Sequence, residues 1–430
     1  GEDRLNWLRG DNADELRLGG NFRNRIKKFD DNFMISASEL SDSSIDTYKL
    51  GDIVNSDPIY VGAEDYGYTE LAGAEGSSYS AFMLGKASRR PMLYVGANDG
   101  MLHGFDARKN TAGVTSGGTE IFSYIPNSLF PELSKLTSFA YVHQYLVDGV
   151  SAAGDVYFNS AWHSILAGVT GAGGRSVFAL DVTHPDAFGA ASALWEFDSS
   201  HDVDLGYTLA HPGIGKMANG SWAVVVANGY SSAAGKAVLF ILNAETGAVM
   251  RKIDTGVAGG NGLSSPVMAD IDGDRIVDTI YAGDLHGNLW KFDVSSDSSA
   301  SWEVANSGRP LFVACERTGI SCASANRQAI TAKPSVGPVG ADQETGIMVY
   351  FGTGKYFEST DNVVGGSPQV NTFYGLWDNN AEISDRADLQ EQVIEYEGAP
   401  VTTSGDVGGG VIRVTSRRSV CYSAETITAG

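Results

Sequence analysis

Three cysteines in 430 residues, with no CxxC pair among them, leave no set of four ligands for a structural zinc cage. Two of them, Cys315 and Cys322, stand seven apart around Gly319, a spacing that suits a small disulfide loop formed in an oxidising compartment. Free buried thiols are the alternative. Cys421 has no evident partner and is expected to be free or to pair with sequence outside this chain. No apolar run approaches the roughly 18–20 residues that span a bilayer, so no membrane-spanning segment is expected. Cations are scarce, with 30 Lys and Arg against 52 Asp and Glu and a formal charge of −22. That balance argues against a nucleic-acid or anionic-membrane surface, because both need clustered cations to displace counterions. The chain opens on Gly1 without a basic-then-apolar leader and reads as a mature or excised piece whose signal peptide, if any, lies outside it.

What is present is glycine, 53 residues of it, and enough apolar residues (43%) for a large core. Much glycine without low-complexity repeats implies many tight turns, as in an all-β chain. Residues 1–48 form a polar N-terminal segment in which "NADELRLGG" and "FRNRIKKF" read as short helical turns. From residue 49 to 430 the texture is short β-type runs broken by Gly, Asn, Asp and Ser. "MLYVGANDGMLHGFDA" (92–107) aligns with "TIYAGDLHGNLWKFDV" (279–294), each an apolar strand, a Gly-bearing turn and a second strand ending in Phe-Asp. Weaker copies lie at 164–183, 222–249 and 347–357 with a return strand at 372–378; 50–62 reads as the strand before such a hairpin, and 411–422 as a last weak unit. Hairpins recurring at 40–80 residues predict a β-propeller, because one blade cannot cover its own apolar faces. The expected fold is a single all-β domain, a quinoprotein-like propeller of six or seven blades, with 108–148 and 294–345 as decorated loops. A parallel β-helix is the rival, but its rungs would be shorter and more regular.

Within "MADIDGDRIVDTIYAGD" the carboxylates of Asp270, Asp272, Asp274 and Asp278 fall at loop positions 1, 3, 5 and 9, and Ile276 at position 7 has only its backbone carbonyl to offer. Left unneutralised, so many carboxylates would repel one another. Alternation turns side chains inward and Gly273 permits the tight turn, which is the donor order of a calcium loop. Magnesium demands a stricter octahedron and keeps more water, and soft metals would want His or Cys. The loop is not an EF-hand: position 6 is Arg275, position 12 is Tyr281, and the loop enters a strand. Asp278 therefore takes the place of the missing bidentate ligand. The alternatives are a solvated acidic turn with no ion, and an ion that only staples a blade.

"NWLRGD", "LGDIVNSDPIYVG", "LYVGANDGMLHGFDA" and "DIDGDRIVDTIYAGDLHGNLWKFD" followed by "VYFGTGKYF" together resemble the C-terminal propeller of the PilY1/PilC family of type IV pilus assembly factors and tip-associated adhesins. The resemblance runs from about Asn6 to Trp377. It implies a secreted, surface-exposed protein of a Gram-negative bacterium, reached through the periplasm and associated with the pilus tip or outer membrane. Such a protein would promote pilus extension, twitching motility and attachment, with minor pilins or the pilus tip as partners and host or surface ligands besides. The family's calcium ligands carry over onto Asp270, Asp272, Asp274, the Ile276 carbonyl and Asp278. Asp272 stands where the family often has Asn, adding a charge. The family's N-terminal adhesion region, resembling a von Willebrand factor A domain, is not part of this chain.

Arg9-Gly10-Asp11 spells an integrin-binding tripeptide, though a tight Gly turn with both charges satisfied locally explains it as well. The blades also resemble those of quinone-dependent dehydrogenases, but the adjacent cysteine pair of those enzymes is missing here. Seven histidines are scattered, and His103 and His286 fall in matching blade turns, which repeat architecture explains better than catalysis. No enzyme is expected. A calcium-stapled platform for protein or glycan ligands, similar to integrin-type propellers, is the other reading.

Overall fold

The structure, a computed structural model, describes residues 1–26, 47–111, 113, 115–316, 322–339, 346–363, 365, 369–381, 383, 385–398 and 412–418. The first sheet joins β1 (Ile59–Val61), β2 (Met92–Gly96), β3 (Leu102–Asp106) and β4 (Glu120–Tyr124) in that order. The second runs β5 (Ala152–Phe158), β6 (Ala161–Val169), β7 (Ser176–Asp181) and β8 (Ala193–Asp198). The third runs β9 (Gly213–Met217), β10 (Trp222–Ala227), β11 (Val238–Asn243) and β12 (Val249–Asp254). The fourth starts at β13 (Val267–Ala269) and, after the short β14 (Ile276–Val277), continues with β15 (Thr279–Gly283), β16 (Asn288–Asp293), β17 (Glu303–Val304) and β18 (Phe312–Val313). The fifth is β19 (Ser335–Pro338), β20 (Ile347–Gly352) and β21 (Phe373–Asp378), and a hairpin pairs β22 (Ile394–Gly398) with β23 (Ile412–Thr415). Within each sheet the meander is antiparallel, save that β14 joins the edge of the third sheet in parallel with β9, and the first strands of consecutive sheets touch in order: β1 with β5, β5 with β9, β9 with β13, β13 with β19. Sheets whose first strands ring a common axis are the blades of a propeller. Against the expected six or seven, the described residues give five blades of three strands or more and one two-stranded hairpin.

The pleat explains why the central strands read as unbroken apolar runs. On β10, Val224 and Val226 join the core between the second and third blades, while Ala223, Val225 and Ala227 join the core between the third and fourth. On β15, Ile280 and Ala282 face the third blade and Tyr281 faces the fifth. Successive side chains point to opposite faces, and stacked blades bury both.

Several expectations are corrected. Residues read as β-type between β1 and β2 form the helix Gly73–Ser88, despite weak intrinsic propensity from three interior or flanking glycines. Tertiary packing holds it: Tyr79 is fully buried, 4.7 Å from the Trp162 ring, and Trp162 Nε1 donates to the Glu75 carbonyl at 3.1 Å. The stretches read as decorated loops supply β4, β17, β18 and β19, strands of two to five residues too short to show alternation. "NADELRLGG" does hold a helical turn, Leu16–Leu18, but the described part of "FRNRIKKF" is not helical; Phe22 bridges Glu15 and Ile26 bridges Thr47. Trp7, from the helix Glu2–Leu8, is buried in the same cluster as Met92, Leu102 and Phe178. Arg25 lies over its ring at 3.8 Å. His103 and His286 are not equivalent either. Matching the left-handed turn glycines Gly100 (φ +91°) and Gly287 (φ +78°) sets His286 in the turn opposite Asp99, whereas His103 lies on β3 and matches Trp290.

Candidate metal centre

The acidic loop connects β13 to β15, the first and second strands of the fourth blade. Its base is closed by Asp278 N–H donating to the Ala269 carbonyl at 3.0 Å, and the Asp278 carbonyl in turn accepts from Val294 N–H at 2.9 Å. Gly273 (φ +85°) and Arg275 (φ +70°) both adopt the left-handed region, winding the chain around the carboxylates. Asp270 Oδ1 accepts from Gly273 N–H at 2.7 Å and Asp274 N–H at 3.1 Å, and its Oδ2 accepts from Arg275 N–H at 2.8 Å. Asp278 Oδ2 accepts from Ile271 N–H at 2.7 Å. Backbone donors thus fix the carboxylates from outside.

Asp270, Asp272 and Asp278 each offer an oxygen within 4.8 Å of the other two. Two ligands on one ion cannot lie further apart than twice the bond length, about 4.6–5.2 Å for calcium–oxygen bonds of about 2.3–2.6 Å. Three hard donors at this separation therefore fit one calcium-sized sphere. Asp274 is not drawn into the group; its Oδ1 instead accepts from Ile276 N–H at 2.8 Å. Ile276 is held as a strand residue, because β14 pairs in parallel with β9 of the preceding blade, Ile276 opposite Lys216 and Val277 opposite Met217. The loop therefore spans a blade boundary.

Among the described residues no Lys or Arg side chain makes an ion pair with the three carboxylates. Arg275 feels the Asp270 charge but donates from Nε to Glu70, at 2.7 Å. Burial, and then the charges of Asp272, Asp270 and Asp274, push the Asp278 carboxyl above its ordinary value, outweighing the Ile271 N–H that favours the ionised form. The Arg275–Glu70 link was not foreseen; the only hint was an arginine where a calcium loop usually has glycine.

The other sequence-picked residues lie elsewhere. Cys315 and Cys322 are joined as a disulfide, Cα atoms 5.8 Å apart, while Cys421 lies outside the described residues. Arg9 caps the helix Glu2–Leu8, Gly10 takes φ +100° and the Asp11 carboxylate accepts from Ala13 N–H at 2.9 Å. The Asp11 carbonyl accepts from Arg25 at 2.7 Å. Arg9-Gly10-Asp11 is a helix-ending turn with both charged side chains exposed.

Blades ringed about an axis, with an acidic loop between the first and second strands of one of them, define a β-propeller carrying a candidate cation site. Residues 50–404 match the family described as the PilY1 beta-propeller domain, and the chain belongs to that family. It is 39% identical over 430 residues to the type IV pilus biogenesis factor PilY1 of Pseudomonas aeruginosa strain PAK, covering 92% of this chain and 33% of that protein. A PilY1 homolog of Xylella fastidiosa is 40% identical over 398 residues, 87% of this chain and 25% of that protein. The chain thus spans a third or less of these curated relatives. The crystal structure of the Pseudomonas aeruginosa PilY1 C-terminal domain superposes with a TM-score of 0.67 at 37% identity, over 84% of this chain and 73% of that one.

Proposed function

We propose that this chain is the calcium-binding propeller of a type IV pilus assembly and adhesion protein, acting by binding and not by catalysis. The reading rests on relatives named as pilus biogenesis factors and on one observation, the three carboxylates within 4.8 Å of one another with no ion pair to a Lys or Arg among the described residues. Asp270, Asp272 and Asp278 hold the ion, with Asp274 and the Ile276 carbonyl completing its shell. Bound calcium supplies charge neutralisation and fixes the loop. This chain's part is to hold the loop open by backbone hydrogen bonds and to tie it, through β14, to the neighbouring blade. The working surface is extracellular, at the pilus tip or outer membrane of a Gram-negative cell, with minor pilins as partners in pilus extension, twitching and attachment.

The test is an Asp272→Ala/Asp278→Ala variant in the full-length protein of a piliated strain. Surface pili and twitching zones should fall with the loss of calcium binding. Normal piliation by a protein shown to bind no calcium would overturn the reading.

A further inference from the structure

The residue before the first strand of a blade recurs as a pattern: Asp57-Pro58 before β1, His211-Pro212 before β9, Ser265-Pro266 before β13 and Lys333-Pro334 before β19. Proline confines the preceding residue to extended backbone, so each blade presents that side chain in a similar way. Because the first strands are mutual neighbours in a uniform meander, their starts share one end of the axis. The acidic loop, which follows the end of β13, lies at the opposite end. Direct contact supports the ring: His211 N–H donates to Ser265 Oγ, its counterpart one blade on, at 3.0 Å.

Three of these side chains are ionisable and come from alternate blades, Asp57 from the first, His211 from the third and Lys333 from the fifth. His211 nonetheless feels the charges of both others, which blades that are not neighbours achieve only across the axis. Asp57 and Lys333 are exposed and His211 is half-buried. Burial among surrounding atoms still pushes the Lys333 ammonium and the His211 imidazolium below their ordinary values. The three side chains thus stand within reach of one another's charge at one open end, or mouth, of the axis. None of the three side chains makes a hydrogen bond or ion pair among the described residues, although acids outnumber bases 52 to 30. A lysine without a carboxylate in so acidic a chain has its donors free for a ligand.

We propose that this axial mouth is a carboxylate-binding site, in which the Lys333 ammonium and a His211 ring N–H take the anion while Asp57 faces it and disfavours dianions. The site lies at the opposite end of the axis from the calcium loop and does not depend on it. The ligand is a monocarboxylate, either a small free acid or the carboxyl terminus of a partner polypeptide.

The whole chain, selectively 13C-labelled at histidine, is titrated with acetate, with a trialanine peptide and with that peptide's C-terminal amide. The His211 signals should shift saturably with the acids, and the amide should bind at least about tenfold more weakly. Comparable affinities for acetate and peptide identify a small acid as the ligand; a peptide at least about tenfold tighter identifies a carboxyl terminus. Lys333→Met, with an unchanged melting point, should weaken the peptide acid by about tenfold or more, while Lys333→Arg retains it and Asp57→Asn does not weaken it. Equal binding of acid and amide, an unaffected Lys333→Met variant, or no saturable shift up to about 0.1 M ligand would overturn the proposal.

Discussion

Replacing Asp278 by Asn separates two effects that calcium removal alone confounds. In the folded loop, burial and the charges of Asp272, Asp270 and Asp274 raise the Asp278 carboxyl above its ordinary 3.8. A raised acid favours the fold while protonated, below 3.8, and that contribution is lost as pH climbs through the folded value. At pH 7 and without calcium, the ionised carboxylate therefore works against the native state. Asn keeps the shape and can still accept from Ile271 N–H, now 2.7 Å from Asp278 Oδ2, but carries no charge. The metal-free Asp278→Asn variant should melt at or slightly above the parent. Calcium at 100 times its dissociation constant stabilises a binding-competent fold by about 2.7 kcal/mol. For 430 residues at roughly 2.1 cal/mol/K each, the unfolding entropy is about 0.9 kcal/mol/K, so the parent should gain about 3 °C. The variant should gain less than about 1 °C. Scanning calorimetry at pH 7, in chelator and in excess calcium, reads all four melting points. A variant that keeps the full calcium shift, or melts well below the parent in chelator, would refute the reasoning.

Three further outcomes follow from the same structure. Lys86 donates to Asp155 Oδ2 at 2.7 Å with both side chains about 1% exposed, so Lys86→Met leaves a buried charge unpaired and should cost about 3–5 kcal/mol in urea unfolding. Lys86→Met/Asp155→Asn should recover much of that loss. Burial opposes the His103 imidazolium, but hydrogen bonds to Asp99 and Glu120 outweigh it and push the group up to about 9. Its stabilisation is complete below 6.5 and lost as pH rises through about 9, so His103→Gln should remove that decline from the pH profile of unfolding. Cys315→Ser opens a loop with a sequence separation of 7 and should cost about 2–3 kcal/mol, a loss that reductant reproduces in the parent.

The propeller was legible because its hairpins repeat: Gly100 and Gly287 mark the same turn, and the runs at β10 and β15 are apolar on both faces. The helix Gly73–Ser88 was not, since Gly76 and Gly85 argue against a helix and tertiary contacts secure it, Tyr79 against Trp162 and Lys86 paired with Asp155. Edge strands such as β17 and β18, two residues each, take their conformation from β16 and not from their own pattern. In the acidic loop, spacing put Asp270, Asp272, Asp274 and Asp278 in one group; the structure gathers three of them, because the turn that directs Asp274 to Ile276 N–H is a backbone matter. Pairing of β14 with β9 could not be read at all, because it joins residues some 60 apart through two residue pairs, too few to leave a pattern. The axial convergence of Asp57, His211 and Lys333 was present as X-Pro spacing but gains meaning only once the first strands are known to ring an axis.

The central claim is that the loop is a calcium site, and calorimetric titration of the chelated chain tests it most directly. The account predicts one saturable calcium per chain, a much weaker response to magnesium, and loss of binding in Asp272→Ala/Asp278→Ala. No heat with calcium, or equal binding by the variant, would contradict it.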